Sequence, residues 1–361
     1  MSQTKLRWGI LGTANIARKN WLAIRNTGNS SITAVASRER ERSREFVESC
    51  QRGAPFVEAP LAFGSYEELL ASPDVDAVYI PLPTGLRKQW VIRAAKAGKH
   101  IVCEKPCATS LADLREMTEA CRRNKVQFMD GVMFMHSKRL DQIRTVLDDG
   151  ESIGALRRMM MGFTFWAEPE FFTDNIRAHS ALEPAGCLGD LGWYCIRFAL
   201  WAMRWQMPVH VTGRMLTQSS RPDSPAPVPT EFSGELLFDG GVSAGFYCSF
   251  VTANQQWVQL SGTKGCLLVS DFVLPFFGSE VVFDVNNASF EVVGCEFNME
   301  PRTRRLATAE YSNSHPSAQE TNLFRNFADQ VRSGRIQEDW ISYAVKTQEV
   351  MQACLASAQR P

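Results

Sequence analysis

GILGTANIA (residues 9–17) follows a short apolar run, LRWGIL (6–11), and opens a stretch with helical spacing, NIARKNWLAIRN. Against the pattern G-x-G-x-x-G/A, Gly12, Ala14 and Ala17 fill the three special positions. Gly12 permits the tight turn, Ala14 still lets main chain approach a pyrophosphate, and Ala17 permits close helix–sheet packing. The helix start offers free N–H donors and a partial positive charge, so Thr13, Asn15 and Ile16 join Gly12 and Ala14 as candidate phosphate neighbours. One glycine of three is retained, so the weight comes from the strand before and the helix after. An ordinary strand-to-helix turn is the competing reading.

Outward from that turn, strand-like and helical runs alternate. ITAVAS (32–37) precedes a charged helix, RERERSREFVESC, and a small strand near Ala62–Phe63 leads to YEELLAS with Ser65 as N-cap. DAVYIPL (76–82) precedes a helix that Gly98 stops, and HIVCEK (100–105), a helix over 110–124 and VQFMDGV (126–132) complete the series. Such alternation predicts a doubly wound parallel sheet covered on both faces.

The pattern changes after a helix over 137–149. RRMMMGFTFW (157–166) is a strand, and a helix is predicted over GDLGWYCIRFALWAM (189–203). VHVTGRML, EFSGELLF, GVSAGFYCSFV, WVQLSGT, GCLLVSD, SEVVFDV and SFEVVGCEF then follow with little helix between them, which predicts a large, mostly antiparallel sheet. QSSRPDSPAPVP (218–229) reads as an exposed loop, and helices over 317–333 and 339–357 close the chain. The division is a dinucleotide-binding domain over 1–132 and an α+β substrate and oligomerisation domain over 133–361.

The 361 residues, 45% hydrophobic and 22% charged, suffice for two buried cores. The 39 basic and 39 acidic residues cancel, so no global field recruits nucleic acid or an anionic membrane. No apolar run approaches the ~18–20 residues that span a bilayer. The beginning lacks the apolar core of a signal peptide, and the ten scattered cysteines fit reduced thiols, so the expected location is the cytoplasm. Cys103 and Cys107 are close, but two further ligands for zinc are not found nearby, and no metal is expected.

At the end of the second strand, where an acid selects NAD, the chain reads AVASRER. Ser37 and Arg38 suit a 2′-phosphate, which favours NADP(H) while leaving NAD(H) open; Arg38 alternatively begins the solvated face of a charged helix. At the end of the fifth strand stands CEKPCATS, with Glu104, Lys105 and Pro106. Lys105 there lies at the carboxyl edge of the sheet, where ligands of such folds bind, and beside a nicotinamide cation its pKa would fall toward a range useful for proton transfer. Asp190 and Tyr194, one helical turn apart, share a face, and a phenol needs a nearby cation to act as acid or base. Aromatic packing is the alternative for Trp193 and Tyr194.

GILGTANIA, AVASR, DVDAVYIPLPTGL, AAKAGKHIVCEKP and AGCLGDLGWY, in that order, resemble the Gfo/Idh/MocA oxidoreductase family along essentially the whole chain. The likeness is to its branch of D-xylose dehydrogenases, 1,5-anhydrofructose reductases and dimeric trans-dihydrodiol dehydrogenases. It implies that Lys105, in EKP, contacts the substrate oxygen and the nicotinamide ribose, and that Asp190, Gly192 and Tyr194 form the D-x-G-x-H signature, with tyrosine for the commoner histidine. Which of Lys105 and Tyr194 delivers the proton stays open. PLPTGL (81–86) resembles the turn under the nicotinamide, making Leu82, Pro83 and Thr84 cofactor neighbours; Arg87 either reaches cofactor phosphate or solvates the helix start. The resemblance further implies a cis Lys105–Pro106 peptide and dimers or tetramers through the open face of the second sheet.

His136 lines the substrate pocket on this reading, or is a satisfied structural residue. Trp166, Arg177 and His179 supply an aromatic and polar wall for a sugar or polyol, with plain burial as the alternative for Trp166. The implied activity is hydride transfer between a nicotinamide and a sugar-like or cyclic polyol substrate. The rivals are a non-catalytic, sugar-responsive dinucleotide-binding regulator and an NAD-dependent glycoside hydrolase.

Overall fold

Six strands form the first sheet: β1 (Leu6–Leu11), β2 (Ser30–Ala36), β3 (Leu61–Phe63), β4 (Ala77–Ile80), β5 (His100–Cys103) and β6 (Phe128–Asp130). All neighbours are parallel, in the order β3-β2-β1-β4-β5-β6. Helices α1 (Asn15–Asn26), α2 (Arg40–Gly53), α3 (Tyr66–Ala71), α4 (Thr84–Lys96) and α5 (Leu111–Arg123) make the crossovers. The expected punctuation is present: Ser65 Oγ accepts the Glu68 N–H at 3.2 Å, and Gly98 ends its helix at φ +71°. This computed structural model describes residues 5–359.

The later chain begins with α6 (Arg139–Asp148), β7 (Leu156–Trp166), α7 (Phe171–Asp174) and α8 (Trp193–Ala202). Ten-residue strands β8 (His210–Ser219) and β9 (Val228–Leu237) are followed by β10 (Ser243–Ser249), β11 (Val251–Gly262), β12 (Cys266–Val269) and β13 (Glu280–Asn286). Then come β14 (Ser289–Val293), β15 (Glu296–Glu300), β16 (Thr303–Ala309), α9 (Gln319–Arg332) and α10 (Glu338–Ala358). Eight strands form one sheet, β16-β13-β12-β11-β7-β10-β9-β8, antiparallel except for the parallel pair β7–β10. β14 and β15 form a separate two-stranded hairpin. One face of the large sheet, including Met159, Met161, Phe232, Phe246 and Leu260, is buried with the fully apolar side of α8.

The compact units do not follow the contiguous division at 132/133. The first takes in residues through His136, His179–Pro184 and Asn313–Glu349; the second takes in Ser137–Ala178, Ala185–Ser312 and residues from Val350 onward. The cause is α9. Its Leu323, Phe324, Phe327 and Ala328 belong to the core cluster of Trp8, Ile10, Trp21 and Tyr79. The Trp8 ring lies 5.3 Å from both Phe324 and Phe327, and Phe327 stacks on Trp340 of α10. An amphipathic helix late in the chain thus supplies core to the first sheet, which no local periodicity reveals.

Phe327 has no exposed surface. Phe327→Ala is expected to destabilise the first unit by about 3–5 kcal/mol, read as a lowered midpoint in denaturant unfolding. An unchanged midpoint would show that α9 contributes nothing to that core.

Candidate active site

The main chain turns at Gly12 with φ +109°, and a Cβ there would come within 3.0 Å of Leu82 Cδ2. A side chain is thus excluded by conformation and by space. α1 starts at Asn15 with Ala14 as N-cap, no side-chain cap and no acid in its first turn. Thr13 and Ala14 are half-buried, Asn15 and Ile16 exposed, and Ala17 fully buried. A bare backbone turn running into an uncapped helix N-terminus fits the pyrophosphate of a dinucleotide.

At the end of β2 the two expected phosphate ligands separate. Ser37 is 5% exposed, and its hydroxyl donates to the Glu39 carbonyl at 2.6 Å and accepts the Glu39 N–H at 3.2 Å. That hydroxyl is used inside its own turn. Arg38 is exposed. Burial pushes the Tyr66 phenol up, while Arg38 and Arg42 pull it back down, which places both guanidinium groups near that ring. The Tyr66 hydroxyl would in turn lie 3.8 Å from a Cβ on Gly12. The Tyr66 hydroxyl thus borders the phosphate turn, and the charges of Arg38 and Arg42 act on that phenol. Sequence reasoning missed Arg42 and Tyr66, because Arg42 lies in a run of helix charges and Tyr66 follows a capping serine without any spacing signal.

At the ends of β4 and β5 a second cluster forms, also within the first unit. Lys105–Pro106 is cis, as the resemblance implies. Arg87 neither solvates the helix start nor is turned to the surface: it is 5% exposed, and its Nε donates to the Leu82 carbonyl at 2.6 Å. Its Nη1 donates to Thr84 Oγ1 at 2.9 Å and to the Pro106 carbonyl. Burial, which removes the competition of water, turns this expected cofactor or solvent contact into a brace between the PLPTG turn and the EKP turn.

Thr84, expected under the nicotinamide, is 2% exposed, and its N–H and Oγ1 both donate to Glu183, at 3.0 and 2.6 Å. The segment His179–Pro184 lies over this helix start: the Gly85 N–H donates to Leu182 O, and a Gly85 Cβ would be 2.1 Å from Ala181 O. Glu183 serves as the missing N-cap of α4, a role invisible in a loop sequence.

Glu104 is fixed by a buried chain. Asn20 Nδ2 donates to Tyr79 Oη at 2.7 Å, Tyr79 Oη donates to Glu104 Oε1 at 2.6 Å, and Glu104 Oε2 accepts the Lys105 N–H at 3.2 Å. Burial and the Glu104 carboxylate hold the Tyr79 phenol well above its ordinary range, so it remains a donor. Gly131 leaves the room: a Cβ there would sit 3.0 Å from Glu104 Oε1. The half-buried Lys105 follows directly. His136 is held by the same unit's late helices, with Nδ1 3.1 Å from Asn326 Nδ2 and its carbonyl accepting from Asn322. These contacts account for His136 without a ligand.

In the second unit, the helical segment expected around 189–203 is present and begins with a wider turn. Leu188–Gly192 is one wide π-turn, and the regular helix starts at Trp193. Gly192 allows it, since a Cβ would lie 2.7 Å from Leu188 Cδ1 and 3.3 Å from Cys248 Sγ. Such turns recur at functional positions. Asp190 within it pairs with Arg177, Nε to Oδ2 at 2.7 Å, so an expected substrate arginine is a partner of the expected catalytic acid. Tyr194 is 6% exposed with its ring 5.6 Å from Phe163. Trp166 is not buried in the sheet but 58% exposed at the end of β7. Phe276 and Phe277, unremarked in the sequence, are 65% and 91% exposed on the loop that Gln256 of β11 ties down through Leu274.

A cavity of about 760 Å³ lies elsewhere in the first unit, at the amino ends of β1 and β2, lined by Lys5, Arg7, Arg25, Ser31, Thr33 and Asp74. Ligands of doubly wound sheets bind at the opposite, carboxyl edge, so this cavity is not the candidate site. No cluster of three or more metal-ligating side chains occurs among the described residues.

A dinucleotide turn on a 3-2-1-4-5-6 sheet, joined to a large mixed-sheet unit, defines a Rossmann-fold oxidoreductase. Residues 6–132 match the family model for the oxidoreductase family with an NAD-binding Rossmann fold, and residues 140–268 match the GFO/IDH/MocA C-terminal domain. The chain belongs to the Gfo/Idh/MocA oxidoreductase family. It is 30% identical to an uncharacterized oxidoreductase of Rhizobium meliloti over 98% of this chain and 97% of that one. It is also 30% identical to trans-1,2-dihydrobenzene-1,2-diol dehydrogenase of Bos taurus (74% of each chain) and to D-xylose 1-dehydrogenase (NADP(+)) 2 of Haloferax volcanii (73% and 75%). Among solved structures, KijD10, a 3-ketoreductase from Actinomadura kijaniata in complex with NADP and TDP-benzene, aligns with a TM-score of 0.79 at 25% identity over 98% of each chain. An aldose-aldose oxidoreductase from Caulobacter crescentus complexed with glycerol shares the fold at a TM-score of 0.79 and 22% identity, over 98% of each chain.

Tyr79→Phe leaves a buried Asn20 donor and a Glu104 oxygen unpartnered, and is expected to cost about 1–3 kcal/mol of stability, measured by denaturant unfolding. A variant as stable as the parent would show that water replaces the phenol and that Tyr79 does not fix Glu104.

Proposed function

We propose that this oxidoreductase uses NADP(H) in preference to NAD(H) and acts at a CH–OH/C=O centre of a sugar-like or cyclic polyol or dihydrodiol substrate. The observation that carries the cofactor reading is the exposed Arg38 just after β2, where an NAD-selecting acid is missing, its charge acting with that of Arg42 on the Tyr66 phenol that borders the Gly12 turn. A guanidinium grips a 2′-phosphate through two parallel hydrogen bonds. The substrate class rests on the relatives' names and on the polar Asp190–Arg177 pair in the same unit as the exposed Trp166, a combination suited to hydroxyl groups and an apolar sugar face.

Lys105, Asp190 and Tyr194 are the proposed catalytic residues. When bound, the nicotinamide gives or takes the hydride at its C4. Lys105 and Tyr194 hold and move the proton at the substrate oxygen, and Asp190 orients that group or a neighbouring hydroxyl. Arg177, with Nε 2.7 Å from Oδ2, aims the Asp190 carboxylate. Glu104, fixed by Tyr79, and Leu82 and Pro83 border the nicotinamide end. The proposed setting is the cytoplasm, and the proposed assembly a homodimer or homotetramer in which the second unit's large sheet takes part.

The test is steady-state turnover of aldoses, cyclic trans-dihydrodiols and anhydroketoses, followed by NADPH absorbance. Lys105→Met and Tyr194→Phe are each expected to lower kcat, and the proton donor is the one whose loss is larger, on the order of 10²–10⁴-fold. Turnover unaffected in both variants would refute the catalytic assignment. Arg177→Ala is expected to lower kcat/KM, because the aspartate loses the partner that orients it. An unchanged kcat/KM would remove this pair from the reaction.

A further inference from the structure

The segment His179–Pro184 is grouped with the first unit, although the chain on either side of it belongs to the second. It forms a strap whose two ends meet. Arg177 stands just before it, in the short turn Ile176–Ala178, and Asp190 follows it, in the π-turn Leu188–Gly192. Their ion pair, Nε to Oδ2 at 2.7 Å, closes the base. The strap is ordered from within: the Leu182 and Glu183 N–H groups donate to the His179 carbonyl at 3.1 and 2.8 Å, and the Ala181 N–H donates to His179 Nδ1 at 3.2 Å.

At the far end one carboxylate makes the anchor. Glu183 accepts from the Thr84 N–H at 3.0 Å and from the Thr84 hydroxyl at 2.6 Å, and its Oε1 lies 4.0 Å from Arg87 Nη2. The Gly85 N–H adds a bond to the Leu182 carbonyl at 2.9 Å. The leg from Glu183 to Asp190 then holds no slack. Gly186, at φ +46°, packs so closely that a Cβ on it would lie 2.2 Å from the Pro229 carbonyl oxygen. Cys187 is fully buried with its Sγ 3.5 Å from Cys248 O, and the Gly189 N–H donates to the Ala185 carbonyl at 3.1 Å. The other leg is tied as well, since the Ala178 carbonyl accepts the Arg221 N–H at 2.9 Å. Close-packed chain transmits a displacement that slack chain would absorb.

We propose that Glu183 is a positioning residue for the reaction: by pinning the strap to the PLPTG turn it sets where the Asp190–Arg177 pair stands. This rests on the reading above, in which that turn borders the nicotinamide and Asp190 acts at the substrate. Glu183 itself faces Thr84 and Arg87 and acts through Asp190. The link is covalent continuity along residues 184–189, so one carboxylate serves two turns that are distant in sequence.

The experiment compares Glu183→Ala and Glu183→Gln with Ser110→Ala, which removes the cap that accepts the Asp113 N–H of α5. Hydrogen–deuterium exchange is read over 84–90 and over 186–194, and steady-state turnover gives kcat and KM. Glu183→Ala is expected to speed exchange over both peptides and to lower kcat/KM by about tenfold or more. In Glu183→Gln the amide oxygen still accepts the Thr84 N–H, so both readouts return toward the parent, and Ser110→Ala leaves 186–194 unchanged. Glu183→Ala combined with Asp190→Asn is expected to lose no more turnover than Asp190→Asn alone, because the two act through one group. Faster exchange confined to 84–90 would reduce Glu183 to a helix cap and overturn the proposal, as would losses that add in the double variant. Should Asp190→Asn turn over like the parent, the catalytic reading of Asp190 fails instead; faster exchange over 186–194 then still upholds the link from Glu183, and unchanged exchange there overturns it.

Discussion

The buried guanidinium of Arg87 is the constraint on which the carboxyl edge of the first sheet depends. Parallel strands end in separate turns that share no hydrogen bonds of their own, and here the turns after β4 and β5 must be held together. Arg87 does this by donating to the Leu82 carbonyl, Thr84 Oγ1 and the Pro106 carbonyl from a position 5% exposed to water. Its charge is balanced at 4.0 Å by Glu183, which also caps α4 through Thr84. A buried cation with its partners removed would cost several kcal/mol, so the residues of this brace stand or fall together. Lys105 is placed by that brace on one side and by the Asn20–Tyr79–Glu104 chain on the other. The lysine can therefore be presented without a regular element beneath it.

The second unit solves a related problem with a glycine-rich turn. The π-turn over Leu188–Gly192 widens the helix start so that Asp190 meets Arg177 while Tyr194 remains in the packed wall with Phe163. One carboxylate is thereby held just ahead of a helix whose residues from Trp193 to Leu200 are all buried, Arg197 among them with its guanidinium over the Trp193 and Trp205 rings. The polar groups are few and each has a fixed partner, which is how a pocket lined by hydrophobic side chains acquires direction.

The doubly wound sheet was legible because its signals are local: short apolar runs, Ser65 as a cap and Gly98 as a stop. The phosphate turn was legible for the same reason, since Gly12 must adopt a positive φ. Less legible was anything that depends on partners distant in sequence. Arg87 reads equally as a cofactor-phosphate ligand or as a charge solvating the helix start, and its burial is explained by the Pro106 and Leu82 carbonyls. Ser37 reads as a phosphate ligand, but the carbonyl two residues on captures its hydroxyl. His136 reads either as a pocket residue or as a satisfied structural one, and its neighbour Asn326 of α9 is too distant in sequence to be foreseen. A contiguous division at 132/133 leaves α9 apart from the sheet it packs on because α9 is amphipathic like any surface helix, and amphipathicity does not say which sheet receives its apolar stripe.

The most direct test of the account is a titration of the purified protein with NADPH and with NADH, followed by nicotinamide fluorescence, repeated on Arg38→Ala. The account predicts tighter binding of NADPH than of NADH, with the difference reduced about tenfold or more in the variant, as loss of a charge-assisted bidentate pair requires. Equal affinity for the two nucleotides in the parent, or an unchanged preference in the variant, would contradict it.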